Sequence, residues 1–300
     1  MMLASFGQPT FGWNVADDVH QLLQYPFMVH AVEAGTIVAL VAAPIGWFMV
    51  MRRQTFAGHT LAVVGFPGAA GAALLGVSVV IGYFTSCVAA AMVIAAVPRT
   101  RHGGFSEESA VIGTTQAFAL ACGFLFVTLH QGLLEDVNTL LFGSFLGITD
   151  TQVRTLLGVG LAALAALAVI ARPLGFASID PDVALARGVP VRVLSTLFLV
   201  VVALAVAETS QITGALLVFA LLVMPAAAAQ QLTPRPAVSF ALTILFGLLV
   251  VWLGLAFAYF SVYPVGFYVT SFGFGIYVLA AAARALGHRF RSAGARYQVA

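Results

Sequence analysis

The chain has 300 residues, of which 61% are hydrophobic and only 8% are charged, and its mean hydropathy is +1.04. A soluble domain of this composition would expose large apolar patches, so these values exclude a soluble protein and indicate one integral membrane domain. The net charge of +2 is small and no basic stripe with interleaved aromatic residues occurs, which argues against nucleic-acid binding.

Apolar segments long enough to cross a lipid bilayer follow one another along most of the chain. A hydrocarbon core of about 30 Å requires roughly 20 consecutive, mostly apolar residues in a helix. This rule predicts an all-α fold, a polytopic transmembrane helical bundle of about eight or nine spans. Residues 61–98 are divided between two spans because this segment is too long for one untilted helix. The expected spans lie near 27–51, 61–80, 82–98, 107–129, 153–171, 191–207, 212–232, 238–260 and 267–285.

The spans divide the chain into three parts. Residues 1–26 are expected to form an extracytoplasmic or interfacial segment. Residues 27–285 form the transmembrane domain, which includes a cytoplasmic loop at 172–190. Residues 286–300 form a cytoplasmic tail.

Arginines predict the orientation of the bundle. Short cytoplasmic loops are enriched in Lys and Arg, and almost all arginines of this chain fall at the same ends of the expected spans. Only Arg154 falls on the other side. An odd number of spans, with the N-terminus outside and the C-terminus in the cytoplasm, satisfies this pattern. Tyr25 is expected to anchor the outer interface. The arginines on the cytoplasmic side are Arg52, Arg53, Arg99, Arg101, Arg172, Arg187, Arg192, Arg235 and those from Arg284 onwards.

His30 and Glu33 form an ionisable pair inside the first span. They are three residues apart and therefore share one face of a helix. An ionised side chain at the bilayer centre costs about 2.5–3.5 kcal/mol on insertion scales, so Glu33 is expected to face the bundle interior or a wet cavity in the path of an ion. The alternative is a shallow, hydrated position, with His30 at the membrane interface.

A short segment between the fifth and sixth spans carries both start and stop signals for a helix. Asp180 is a preferred N-cap, Pro181 suits the first helical position, and Gly188 followed by Pro190 ends the helix. Small residues such as Ala184 and Gly188 would let another surface approach closely. We interpret this segment as a docking helix for a cytoplasmic partner. The alternative is an ordinary capped connector.

Glu208 and Gln211 are three residues apart near the expected outer turn between the sixth and seventh spans. The simpler interpretation makes them solvated loop residues. The alternative places them in an outer vestibule through which a solute enters the bundle.

The sequence lacks the common motifs of ATP hydrolysis and of membrane hydrolases. It has no lysine, so it has no P-loop and cannot bind and hydrolyse ATP by that route. HExxH and GxSxG are also absent. Cys87 and Cys122 lie in apolar runs and are expected to be packing residues. These features favour a transport subunit that is not itself an enzyme. The alternatives are a secondary transporter that needs no ATPase, and a membrane enzyme or scaffold, for which no clustered acid, base and nucleophile is visible.

Four patches of the sequence occur in a characteristic order and spacing. They are Arg52–His59 leading to Gly65–Gly68, Asp136–Gly143, Asp180–Pro190, and Gly214–Val218 continuing through Leu222–Ala227. With these patches the chain resembles the membrane permease subunits of ABC-type zinc and manganese uptake systems, the ABC-3 family, from about Pro26 to Arg284.

The resemblance implies a multi-pass subunit of the bacterial plasma (inner) membrane that works as a homodimer. It also implies a cytoplasmic ATP-binding subunit that hydrolyses ATP, and an extracytoplasmic metal-binding protein that delivers the ion. The helix at Asp180–Pro190, with Asp180, Ala184 and Gly188, would be the element that couples the permease to the ATPase. Zinc or manganese would be the transported substrate, with no permanently bound cofactor.

The second span departs from the family at one pair of positions. Many members read roughly GDALSHAxLPG there, and the Asp and His, four residues apart on one helical face, are thought to line the metal path. In this chain the corresponding residues are His59 and Val63, so one ligand changes its type and the other is lost. Imidazole suits zinc, whereas manganese prefers oxygen ligands, so His59 favours zinc. The candidates for the metal path are therefore His59, Glu33 and His30.

Overall fold

The computed structural model of the chain describes residues 20–96, 105–129, 143 and 147–297, and every regular element within these ranges is a helix, as predicted. The expected N-terminal segment up to residue 19, Arg99 and Arg101, and the patch at 136–142 lie outside the described residues. We number the main helices in chain order. They are α1 (Pro26–Met51), α2 (Thr55–Leu74), α3 (Val79–Ala96), α4 (Phe105–Leu129), α5 (Asp150–Ile179), α6 (Pro181–Ala186), α7 (Val191–Thr213), α8 (Ala215–Leu232), α9 (Pro236–Tyr259) and α10 (Val265–Tyr297).

Eight of the described helices are long and apolar enough to cross a membrane, and α8, with its apolar segment Leu217–Leu232, is a shorter ninth. This confirms the polytopic bundle of about eight or nine spans. The division of residues 61–98 is also confirmed, because α2 ends at Leu74 and α3 begins at Val79. Gly76, at φ +68°, lies in the turn between them.

Two helices extend beyond their expected bounds. Helix α5 has 30 residues and is about 45 Å long at 1.5 Å per residue. It contains Arg172 and Pro173, so residues 172–179 of the expected cytoplasmic segment 172–190 are helical. Helix α10 continues to Tyr297, so the expected tail boundary at 286 is not a helix end. A helix longer than the hydrocarbon core can project into the aqueous phase, where polar and basic residues are hydrated.

The helix ends that carry the arginines lie together at one end of the bundle, which we call the arginine end. There the Arg52 Nη1 donates a hydrogen bond to Ser178 Oγ at 3.0 Å, which joins the end of α1 to the end of α5. The indole Nε1 of Trp47 donates to Ser239 Oγ at 3.1 Å, which adds the start of α9. Helices α1 and α5 therefore run towards the arginine end, and α9 runs away from it.

The opposite end of the bundle carries aromatic residues and a single arginine. His30 near the start of α1 hydrogen-bonds through Nδ1 to the Ile148 carbonyl, just before α5, at 3.2 Å. The ring of Tyr25 lies 6.2 Å from that of Tyr259 at the end of α9. Arg154 pairs with a carboxylate one turn earlier in α5. Aromatic residues at a membrane-water interface and few basic residues are typical of the outer face.

Glycines allow α2 and α3 to pack at very short range. A Cβ added at Gly65 would lie 2.0 Å from the ring of Tyr83, and one added at Gly68 would lie 2.3 Å from the carbonyl oxygen of Gly82. In lipid, such close backbone approach is a main source of helix association. Cys87 is buried at the same contact, where its Sγ donates to a carbonyl of α2, which agrees with a packing role.

Helix α1 packs against α5, α8 and α9 and lies in the middle of the bundle. Its closest backbone contact is with α8, where a Cβ added at Gly46 would lie 1.9 Å from the carbonyl oxygen of Leu222. The buried side chains of α1 continue this contact over most of its length. Helix α8 is therefore held directly against the central helix of the fold.

Candidate functional site

His59 lies on the second turn of α2, close to the arginine end. A Cβ added at the preceding residue, Gly58, would lie 2.2 Å from Met49 Sδ, so His59 is level with the last turn of α1. Helix α2 begins after a short connector in which Arg53 adopts a left-handed conformation, φ +57°, and Gln54 serves as the N-cap residue. This connector fixes where the His59 turn begins.

The imidazole of His59 is half-buried between α2 and α8. Its ring centroid lies 4.6 Å from that of Phe219, at an interplanar angle of 58°. The Nδ1 atom is buried and has no hydrogen-bond partner in the described part of the chain. A buried ring nitrogen is normally hydrogen-bonded, and an unprotonated one is a preferred ligand of divalent transition metals. Among the described residues, this nitrogen is therefore a candidate ligand for a metal ion.

The residue one turn after His59 adds no ligand. Val63 is apolar and only 7% exposed. The polar contact nearby is made instead by Thr60, whose hydroxyl donates to Gln116 Oε1 of α4 at 2.8 Å. The sequence analysis did not single out Gln116, because a lone amide in an apolar span has no motif, and only the packing of α4 on α2 pairs it with Thr60.

Helices α7 and α8 are separated by one residue, Gly214, at φ +81°. The α8 start has no side-chain cap, and Gly143 approaches this junction so closely that a Cβ there would lie 2.3 Å from the Thr213 carbonyl carbon. Gly214 lies eight residues, or about 12 Å of helix, before Leu222. Leu222 in turn lies opposite Gly46, which is about 30 Å along α1 from the start of that helix. The helix break therefore lies at membrane depth, where unpaired backbone groups are tolerated only inside protein or along a cavity.

Glu208 lies in α7 shortly before this break. Its side chain is only 8% exposed, so the expectation of a solvated loop residue is wrong. The physical reason is the length of α7, which continues to Thr213 and carries residue 208 inside the bundle. Gln211 belongs to the next turn of the same helix. The buried hydroxyls of Thr209 and Thr213 bond to carbonyls one turn earlier in α7.

His30 and Glu33 are not brought to His59. Glu33 is exposed on the surface of the protomer, which differs from the expected position in the bundle interior, and His30 is half-buried against the Ile148 carbonyl. Sixteen residues of α1 separate Glu33 from Met49, the residue level with His59, which is about 24 Å along the helix. The two predicted parts of the metal path thus lie at different depths of one protomer.

The predicted docking helix is α6, a single short helix at the arginine end. Asp180 caps it as expected, because its Oδ1 accepts from the Val183 N–H at 3.0 Å. Gly188 follows it at φ +77° in open space. Ala184, in contrast, is fully buried, so the expectation that it lets another surface approach is wrong. Its side chain faces the bundle, and a six-residue helix has too little periodicity to show this in sequence.

Three apolar side chains on and beside α6 are exposed. Val183 is 43% exposed, Leu185 is 54% exposed, and Ile179 at the end of α5 is 76% exposed. Exposed apolar side chains that lie together at an arginine-rich end of the bundle are a candidate contact surface for another protein. We call Ile179, Val183 and Leu185 the α6 patch.

The described residues contain no group of three or more His, Cys, Asp or Glu side chains that could hold a metal ion. A resident structural or catalytic metal normally has three or four protein ligands. A transport path needs fewer, because it must bind its ion weakly enough to release it.

The chain is similar to named transport proteins over most of its length. It is 32% identical to the manganese transport system membrane protein MntC of Halalkalibacterium halodurans, over 81% of each chain. It is 26% identical to the manganese import system permease protein ScaB of Streptococcus parasanguinis, over 72% of this chain and 75% of that protein. Its fold is similar to a chain of PsaBC from Streptococcus pneumoniae, solved in complex with Fab, with a TM-score of 0.77, 25% identity, and coverage of 89% of this chain and 95% of that one.

These similarities agree with a match to a family model. The model is that of the ABC 3 transport family, and it covers residues 24–284, which include α1 to α9 and most of the apolar part of α10. The resemblance inferred from the four sequence patches is thereby confirmed. The chain is a multi-pass membrane permease subunit that belongs to the ABC-3 transport family.

Proposed function

We propose that this chain forms the ion path of an ATP-driven importer of divalent transition metals, with the unpartnered Nδ1 of His59 as a ligand in that path. The supporting observation is the position of this nitrogen, buried between α2 and the short helix α8 at the level of the last turn of α1. Ionisable side chains in membrane spans are costly to bury, and those that occur often mark the path of an ion. The named relatives, which are manganese permeases, support the same class of cargo.

Glu208 and Gln211 belong to the outer part of the proposed path. A buried carboxylate beside a broken helix is a recurrent arrangement at cation sites of transporters. The path then runs from the α7–α8 junction towards His59. His30 and Glu33 lie nearer the outer end of α1, and the exposed carboxylate of Glu33 faces the path only if a second permease subunit covers this surface. This is one reason to propose a homodimer.

The cargo is expected to be zinc, with manganese as the competing ion. A ring nitrogen suits zinc, whereas manganese is bound mainly by oxygen ligands, and this chain has His59 where many family members have Asp. Two of the relatives reported above are named as manganese transport proteins, so zinc uptake has to be compared with manganese uptake. Competition between the two ions in one uptake assay decides between them.

Energy would enter through a separate cytoplasmic ATP-binding subunit that docks on the α6 patch. The chain has no P-loop of its own, and the patch is an exposed apolar surface at the arginine end. With the arginine end in the cytoplasm, the aromatic end faces outside and would receive a metal-binding protein. This orientation places the N-terminus outside and the C-terminus in the cytoplasm.

The test is metal uptake by liposomes that contain the permease and its cognate ATP-binding subunit, with the binding protein added outside. We expect uptake to require ATP inside the liposomes. Leu185→Glu should abolish both uptake and the stimulation of ATPase activity, because a carboxylate in the α6 patch would prevent an apolar surface of the ATP-binding subunit from docking there. Leu185→Met keeps an apolar side chain of similar volume at the same position of the α6 patch, so it is the matched control and should leave both unchanged.

The outcome separates the proposal from a secondary transporter. Uptake that is driven by an ion gradient without ATP would contradict the proposal. Normal coupling in Leu185→Glu, with the protein present at wild-type levels, would show that α6 is only a connector.

A further inference from the structure

The guanidinium of Arg52 joins three helices at the arginine end. Arg52 caps the C-terminus of α1, and its Nη1 donates to Ser178 Oγ at 3.0 Å. Its Nη2 donates to Ser195 Oγ, and its Cζ lies 5.7 Å from the centre of the Phe198 ring. Ser178 belongs to the last turn of α5, whereas Ser195 and Phe198 belong to the first turns of α7. One side chain thus holds the ends of α1, α5 and α7.

The two serines bracket the proposed docking helix. Ser178 precedes the α6 cap residue Asp180 by two residues, and Ser195 is the fifth residue of α7, which follows α6. Helix α6 packs on both α5 and α7. A displacement of α6 by a bound partner would therefore act on the two helix ends that Arg52 holds.

Arg52 is also tied to the helix that carries His59. Its Nε donates to Gln54 Oε1 at 3.1 Å, and Gln54 is the N-cap residue of α2 and only 5% exposed. The backbone between them is constrained, because the Gln54 N–H donates to the Met49 carbonyl at 2.9 Å and the Gly58 N–H donates to the Gln54 carbonyl at 3.1 Å. A shift of Arg52 therefore moves the first turns of α2, where His59 lies.

We propose that Arg52 is a positioning residue that transmits the displacement of α6 to α2 and so couples the nucleotide state of the ATPase to the His59 level of the ion path. This inference rests on the function proposed above. Arginine suits the role because its planar guanidinium carries five N–H donors and reaches three separate oxygens at once. Lysine would keep the positive charge but has one nitrogen, which cannot span the same three acceptors.

The test is Arg52→Lys in the complete reconstituted complex. This change keeps the basic residue that sets the topology, so insertion should be preserved. We expect the number of ions transported per ATP hydrolysed to fall about tenfold. This is the factor by which the loss of about one charge-assisted hydrogen bond would shift an equilibrium between two conformations. Basal ATPase activity, measured well below the unfolding temperature of the variant, should stay at the wild-type value. Arg235→Lys, the same substitution at an exposed residue of the arginine end, is the matched control and should change neither quantity.

A double-mutant cycle tests whether Arg52 acts through the two serines. Ser178→Ala combined with Ser195→Ala should lower the transport ratio to a similar extent, and should add little in the Arg52→Lys background. Additive losses would overturn the inference. A wild-type transport ratio in Arg52→Lys would also overturn it. The same holds if uptake and ATPase activity fall in proportion to a lower unfolding temperature, because a merely structural contact would give that result.

The wild-type complex and Leu185→Glu separate failure of this inference from failure of the proposed function. If the wild-type complex shows no ATP-driven metal uptake, the proposed function is wrong and the inference falls with it. If wild type and Leu185→Glu behave as expected while Arg52→Lys couples normally, only the role of Arg52 is wrong.

Discussion

The imidazole of His59 has the environment of a ligand without the neighbours of a stable metal site. One side of its ring packs on Phe219, and its buried Nδ1 has no partner in the described part of the chain. The position four residues on is Val63, where a second donor would complete a pair on one helical face. A single nitrogen binds a metal ion weakly, and weak binding allows release in each transport cycle. We expect this residue to affect the rate of transport and not the stability of the fold.

His59→Ala should lower ATP-driven zinc uptake about tenfold or more. Removing a residue that hydrogen-bonds to a metal ligand typically lowers metal affinity or activity about 10- to 100-fold, and loss of the ligand itself should cost at least as much. The measurement is radiolabelled zinc and manganese uptake at equal protein abundance. His20→Ala is the control, since His20 is exposed and hydrogen-bonds to Gln24 one turn away. Unchanged zinc uptake in His59→Ala would remove this residue from the path, and uptake of manganese alone would refute zinc as the cargo.

Glu33→Gln tests whether the part of α1 farthest from the arginine end contributes to the same ion path. Glu33 is about 24 Å along α1 from Met49, the residue level with His59 in the same protomer, so the two substitutions should act independently. We expect the double variant to show the product of the two single losses in zinc uptake. A Glu33→Gln variant with wild-type uptake would place Glu33 outside the path.

At the scale of the helices, the contact between α1 and α8 sets the position of Phe219 against His59. Gly46 permits this contact, because a Cβ there would lie 1.9 Å from the Leu222 carbonyl oxygen, and a backbone atom cannot move aside without moving its helix. Gly46→Ala should therefore force α1 and α8 apart, at a cost of about 1–3 kcal/mol typical of overpacking. We expect a lower thermal unfolding temperature in detergent and a lower yield of monodisperse protein.

Gly158→Ala is the matched control for Gly46→Ala. Gly158 lies in α5 with no atom near the position of an added Cβ, so the substitution meets open space. Alanine is also favoured over glycine inside a helix by about 1 kcal/mol. Gly158→Ala should have an unfolding temperature equal to or above that of the wild type. Equal behaviour of the two variants would mean that the α1–α8 contact tolerates displacement.

The helices of this bundle could be predicted from hydropathy, whereas the contacts between them could not. Length and apolarity identify the spans, and the Asp180 and Pro181 signals identify α6, because these properties are local. The extension of α5 through Pro173 was missed, since a proline usually ends a helix in sequence analysis. The pairing of His59 with Phe219 joins residues 160 positions apart, and only tertiary packing determines it. The inward face of Ala184 and the burial of Glu208 were missed for the same reason.

At the scale of the whole molecule, the two ends of the bundle differ in chemistry. The arginine end collects the α6 patch and the hydrogen bonds of Arg52, while the opposite end carries Tyr25 and Tyr259. Positive residues are retained on the cytoplasmic side during insertion, and aromatic residues favour the interface. The proposed sites for the ATPase, the ion and the delivery protein then follow one another across the membrane in the order that an importer requires.

The orientation of the bundle can be tested with single cysteines in a background that lacks Cys87 and Cys122. Cys87→Ser suits this background because Cys87 is buried and donates to the Leu61 carbonyl, a bond that a hydroxyl can also make. A cysteine at Val262, 99% exposed in the outer turn, should react with an impermeant thiol reagent in intact cells. A cysteine at Leu185 in the α6 patch should react only after the membrane is permeabilised. Labelling of Leu185→Cys but not Val262→Cys in intact cells would reverse the orientation and place the α6 patch where no cytoplasmic ATPase could reach it.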